Sequence, residues 1–376
     1  MTLTIAIPII IQNLLTNLVS MADNIMVGQL GTNQMSGVAI INQLFFVFNL
    51  LVFGGMSGAG LFSAQYFGQK NHNGVRDVFR MKILIGIAII AISLSVMIFL
   101  HEPLINMFLH EGSSSGNIQE TFNYAKNYLY IMVIGIAPFV ISNCYNTTLK
   151  ESGQTVVPMK AGVLAVVFDI VLNYIFIFGK LGFPAMGVVG AAIATVISRF
   201  VECGYLVIYT HRHSNDYPFI KHCYRTLKVP GSLVKKIIVT GTPLMLNEFL
   251  WAGGLTLQTQ ALSTKGLATV GGLNICNTIG NISNCIFVTM GTTIAIVVGQ
   301  LLGAGKLKEA KVTATRMAAF SLLISFGMII ILGLLGPVFP HFYNTTDEIR
   351  ELATKFIWAV AAATPFISLS NSEYFI

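Results

Sequence analysis

No Asp, Glu, Lys or Arg occurs from Asn24 to Gln69, from Ile83 to His101, or from Gly266 to Gly305. A helix of about 20 apolar residues is enough to cross the hydrocarbon core of a bilayer, so each run has room for one span or two. Only 10% of the chain is charged and 54% is hydrophobic, against about 25% charged in a soluble domain. The apolar character is continuous and carries Gly, Ser and Thr throughout, whereas barrel strands would alternate every second residue. The sequence therefore predicts an all-α polytopic membrane protein.

The net charge of +7 resembles a nucleic-acid footprint only until the charges are placed. Lys70, Arg76, Arg80 and Lys82 follow the second predicted span, Lys150 and Lys160 the fourth, Arg212 to Lys236 the sixth, and Lys306 to Arg316 the eighth. The opposite side holds only Lys126, Lys180, Lys265, Arg350 and Lys355. The positive-inside rule places the richer side, and the N-terminus with it, in the cytoplasm. Charge thus sets topology, and no nucleic-acid partner is expected. No phosphate-cradling P-loop lysine motif occurs. The five cysteines lack CxxC spacing and read as small core residues, while His211, His213, His222 and Cys223 read as scattered, solvated loop residues.

The chain says much of itself twice. At one constant offset Pro8 meets Pro243, Leu15 meets Leu250, Gly31 meets Gly266 and Gly37 meets Gly272. Asn42 then meets Asn277, Asn49 meets Asn284, Gln65 meets Gln300 and Gly68 meets Gly303, and PFVISN at Pro138 returns as PFISLSN at Pro365. The basic loops have the same polarity in both copies, so this is a parallel repeat about an axis along the membrane normal. Two parallel-repeat helical bundles follow. Residues 1–210 are expected to form an N-terminal lobe of spans 1 to 6, 211–236 a polar cytoplasmic hinge, and 237–376 a C-terminal lobe showing spans 7 to 10. By the repeat, two further spans and a short basic leader are expected beyond the given ends. Pro138 should kink span 4, and span 2, longer than a bilayer is thick, should tilt or protrude. An outer loop carries Glu111, GSSSG and Glu120.

Charges within the spans mark functional candidates, because they are costly to keep there. Asp23 lies near the outer end of span 1, Asp169 about halfway along span 5, Glu202 in the inner half of span 6 and Glu248 mid-span 7. Asn173 is one helical turn beyond Asp169, on the same face. Arg199 and Glu202 are three apart and are expected to pair as a structural ion pair. In the repeat register Asp23 aligns with Gln258, and Glu248 with Asn13. Asn247, beside Glu248, is a further polar candidate. A lone carboxylate in low dielectric can take up a proton or Na⁺ reversibly, as ion-coupled transport requires. The 26 Phe and 12 Tyr could line a pocket for flat organic cations, although lipid-facing Phe accounts for most of them.

Several motifs together resemble the multidrug and toxic compound extrusion (MATE) family. They are MADNIMVGQLG around Asp23, FGQKN after span 2, DIVLNYIFIFG followed by GVVGAAIAT in spans 5 and 6, and NEFLWAGG around Glu248. The resemblance covers the whole chain and implies a two-lobed antiporter, not an enzyme. It implies exchange of organic cations or other drugs for Na⁺ or H⁺, with substrate in the cleft between lobes and no cofactor beyond the coupling ion. The family's span 1 aspartate maps to Asp23, and the span 7 glutamate of its sodium-coupled branch maps to Glu248, which makes both potential Na⁺ ligands. One branch has Asn then Asp in span 5, whereas this chain has Asp169 then Asn173. The expectation is a monomeric bacterial inner-membrane exporter. The competing readings are a lipid-linked oligosaccharide flippase, which needs a cationic cavity that Arg199 alone would supply, and a non-transporting fragment.

Overall fold

The structure is a computed structural model that describes residues 2–109, 118–263, 267–343 and 345–374. Glu111, the GSSSG run, Lys265 and Gly266 lie outside the described residues. All regular structure among those described is helical: α1 (Thr2–Gly28), α2 (Thr32–Gly68), α3 (His72–Phe99), the short α4 (His101–Asn106), α5 (Ile118–Met132), α6 (Ile136–Glu151), α7 (Val156–Phe178), α8 (Val188–Arg212), α9 (Gly231–Ser263), α10 (Leu267–Gly303), α11 (Leu307–Leu335) and α12 (Asp347–Tyr374).

Continuous apolar sequence gives these helices apolar surface all round, which suits a lipid environment. Leu18, Ile25, Ile92, Phe99, Leu250, Leu323 and Phe366 accordingly project outward, each more than half exposed. Nine helices among the described residues are long and apolar enough to cross a membrane. The expected seventh span forms the 33-residue α9. It is not among those nine.

Local chemistry sets the boundaries. Asn71 caps α3, its side chain accepting from the Gly74 amide at 2.9 Å, a standard way to satisfy an orphan donor. That cap starts α3 at His72, so Arg76 and Arg80 stand on helical turns rather than in the inner loop expected for them. The fourth span breaks at a 3₁₀ turn, Val133–Gly135, just before Pro138, which lacks an amide proton and crowds the preceding turn. α7 ends at Gly179, in the left-handed conformation (φ 66°), where an added Cβ would lie 2.5 Å from the Ala185 nitrogen.

The chain divides into two compact units. One comprises Leu15–Ser63 and Asn71–Met245. Its interior holds Ile41, Phe79, Leu129, Ile136, Tyr145, Leu149, Ile177 and Leu206. Lys82 is also fully buried there. Its Nζ donates to both Glu151 carboxylate oxygens at 2.6–2.7 Å and to the hydroxyls of Thr147 and Thr148 at 2.9 and 3.3 Å, binding α3 to the end of α6.

The other unit comprises Met1–Leu14, Ala64–Lys70 and Leu246–Ile376. Ile5 and Ile9 pack with Ile294, Val297, Val298, Ala310, Ala314 and Met317, and a second cluster joins Cys276, Ile279, Phe287, Met328, Leu332 and Ile357. The repeat is visible here as a reciprocal contact. A Cβ on Gly68 would overlap the Gln300 carbonyl oxygen, and one on Gly303 would overlap that of Gln65. Gly68 and Gly303 are repeat partners, as are Gln65 and Gln300.

Candidate functional site

α7 presents Asp169 and Asn173 on one face, and both are buried, at 4% and 1% exposure. α1 brings Asp23 to the same place. The Asn173 amide bridges the two acids: Nδ2 donates to Asp23 Oδ1 at 2.7 Å and to Asp169 Oδ2 at 3.3 Å. From α8, the Ser198 hydroxyl stands 3.1 Å from Asp169 Oδ1. The carboxyl groups of Asp23 and Asp169 are also within hydrogen-bonding reach of each other. No donor among the described residues reaches the buried Oδ1 of Asn173. Two adjacent carboxylates in low dielectric repel, so they need a shared proton or a bound cation between them. The oxygens of the two carboxyl groups gathered here are of the hard type that a proton or Na⁺ prefers over softer ligands.

Arg199 follows Ser198 but does not form the expected ion pair with Glu202; none joins them among the described residues. Its guanidinium lies over the rings of Phe45 and Phe139, at 5.3 and 5.0 Å, with Nη1 3.5 Å from the Gly135 carbonyl oxygen. Helical side chains lean toward their own N-terminus. Arg199 precedes Glu202, so its long stem carries the charge away from that carboxylate.

In the other unit, the Tyr374 hydroxyl donates to Glu248 Oε1 at 3.2 Å, and the Asn247 side chain also reaches Tyr374. Glu248 is half-buried and Asn247 exposed. Asn13 donates to the Thr289 hydroxyl on α10 at 2.8 Å, and Gln258 is exposed further along α9. Sequence reasoning missed Ser198, Tyr374 and the Lys82–Glu151 pair. Serine in a span carries no signal of its own, since its hydroxyl is usually satisfied by its own helix, as Ser198 also is by the Thr195 carbonyl at 2.8 Å.

The segment after α8 is ordered rather than solvated. Arg76 donates to the carbonyls of Pro218 and Phe219, and Arg80 to those of His222 and Cys223. Phe219 packs on Phe79, and Tyr224 stacks on His211 while meeting the Tyr145 hydroxyl. Cys223 is fully buried, and burial pushes its thiol up to about 11 against the pull of Arg80.

A multi-span helical bundle with acids paired inside it is a polytopic membrane protein with a buried polar site, and the proteins it resembles are membrane transporters rather than enzymes. The MatE family profile matches residues 8–175 and 243–373, beginning each time at the paired prolines of the repeat, and the chain belongs to that family. It is 28% identical to a probable multidrug resistance protein NorM of Thermotoga maritima over 93% of this chain and 73% of that one. A protein of the same name from Halalkalibacterium halodurans is 27% identical over 94% and 76%. The fold matches an outward-facing multidrug resistance MATE family transporter of the MOP superfamily, with a TM-score of 0.83 and 20% identity over all of this chain and 83% of that one. It also matches the bent form of the Vibrio cholerae MATE transporter VcmN, with a TM-score of 0.83 and 16% identity over 99% and 83%.

Proposed function

We propose that the chain is a secondary active exporter, exchanging small organic compounds, chiefly cations, for Na⁺ or H⁺ by alternating access. It acts as a monomer in a bacterial inner membrane, with its N-terminus in the cytoplasm. The observation that carries this reading is the amide of Asn173 spanning Asp23 and Asp169. A buried acid pair held by one shared donor has a fixed geometry and lacks only a small cation. Taking up that cation neutralises the pair and gives the ion gradient something to act on. The names of the relatives, multidrug resistance proteins, support organic drugs as cargo. Glu248 is a second uptake point, held by Tyr374.

The test is ion-driven efflux of a fluorescent organic cation from vesicles. Asp23→Asn should abolish the response to an imposed Na⁺ or H⁺ gradient while the protein inserts and melts as before. Glu248→Gln should weaken the Na⁺ response selectively. Efflux from Asp23→Asn vesicles that still follows the gradient would remove the cluster from the mechanism.

A further inference from the structure

The guanidinium of Arg199 occupies a place built for it. Phe45 and Phe48 are 4% and 2% exposed. Phe48 stands edge-on to Phe45 at 5.9 Å and leans on Phe139 at 5.7 Å. The three rings thus make one aromatic wall, and the cation lies over two of its members. Space for it depends on Gly135, where an added Cβ would lie 3.2 Å from Arg199 Cδ and 3.3 Å from Nη1. The helix break before Pro138 puts that glycine at the contact. Ring faces attract a cation without neutralising it, and no carboxylate pairs with Arg199 among the described residues. A full positive charge is therefore fixed inside the unit, one residue along α8 from Ser198, which touches Asp169.

The charged and titratable groups around it come from each neighbouring element: Tyr128 on α5, Asp169 on α7 and Glu202 on α8, with Asp23 of α1 sharing Tyr128 and Asp169 as neighbours. We propose that Arg199 is a tethered counter-cation whose fixed charge, held on the Phe45–Phe139 wall, sets how readily the Asp23–Asp169 pair takes up its exchangeable cation. The inference rests on the reading of that pair as the ion site. A fixed positive charge favours the bare carboxylates and competes with an arriving ion. The transporter therefore loads only at ion concentrations high enough to overcome it, and unloads when they fall. Arg199 is thus a tuning residue, acting on the ion through the acids.

The experiment titrates the protein in liposomes with H⁺ alone and then Na⁺ alone, following the carboxyl and carboxylate infrared bands, with Asp23→Asn identifying those of the pair. Arg199→Gln should lower the half-saturating ion concentration roughly tenfold, the size expected for one charge acting through partly screened protein. Arg199→Lys, which keeps the charge, should stay near the parent value. Arg199→Met fills the aromatic site with an uncharged unbranched chain and carries the test if the Gln variant does not fold. A folded Gln or Met variant with unchanged or higher half-saturation overturns the proposal. If Asp23→Asn leaves every ion-sensitive band in place, the ion-site reading itself fails and this inference with it. If Asp23→Asn removes the bands while the Arg199 variants leave the midpoint unmoved, only the tuning role falls.

Discussion

Lys82 shows how the surroundings of a single side chain decide its role. On sequence it counts only as one of the basic residues that follow the second predicted span. In the fold it is buried and surrounded by two carboxylate oxygens and two hydroxyls. A pair this deep forfeits hydration on both sides, and its net value is small, but removing one partner leaves the other charge buried alone. Lys82→Met should therefore cost about 3–5 kcal/mol of stability. The double variant Lys82→Met/Glu151→Met should recover most of that loss, as measured by thermal unfolding in detergent. A double variant no more stable than the single one would mean that the pair holds α3 to α6 through its hydrogen bonds to Thr147 and Thr148. Asp169 and Asn173 were recognisable in the sequence as one helix face. That Asn173 also reaches Asp23, 150 positions away, was not, because one-dimensional spacing says nothing about which helix packs opposite.

Among elements, α2 and α10 carry the clearest trace of duplication. Each places a glycine of its final turn against the carbonyl of a glutamine in the other, and sequence offset alone pairs both glycines and both glutamines. Backbone contacts this close admit no Cβ, and relief requires a shift of backbone rather than of a flexible side chain. Gly68→Ala and Gly303→Ala should each destabilise the protein by about 1–3 kcal/mol, and by similar amounts, because the contact is reciprocal. Gly327→Ala on α11, where an added Cβ meets nothing within 4 Å, should instead be neutral or gain about 0.5–1 kcal/mol from helix propensity. Thermal melts of the three variants check this. The spans themselves were legible, since α1, α2, α7 and α8 follow the apolar runs closely. The start of α3 was not, because a helix continues past the bilayer wherever a capping residue such as Asn71 allows it.

At the scale of the whole molecule, the two copies are joined by a chain that does not hang free. Arg76 and Arg80, one turn apart on α3, hold four backbone carbonyls of the segment after α8 and bury Cys223 beneath it. Residues 226–230 then carry no regular structure before α9 begins. Hydrogen bonds from charged donors contribute about 1.5–3 kcal/mol each, so Arg80→Ala should open the segment locally without unfolding the spans. Cys223 would then react with a thiol reagent at pH 8 several times faster than in the parent. The parent thiol should stay nearly inert there, being both covered and neutral well above that pH. Equal labelling rates would mean that the ring packing of Phe219 and Tyr224 suffices to hold the segment.

The sequence by itself determined the class, the placing of most of the apolar helices, the duplication and the shortlist of acids within them. The helices and the cost of the acids in them follow from the free energy of moving one segment from water into lipid, which depends on that segment alone, and the duplication follows from comparing the chain with itself. Only the tertiary structure decided that Asn173 spans Asp23 and Asp169, that Tyr374 meets Glu248, and that Arg199 turns from Glu202 toward aromatic rings. Those outcomes depend on which surfaces face each other and which way side chains lean once packed, and that information is shared among distant segments.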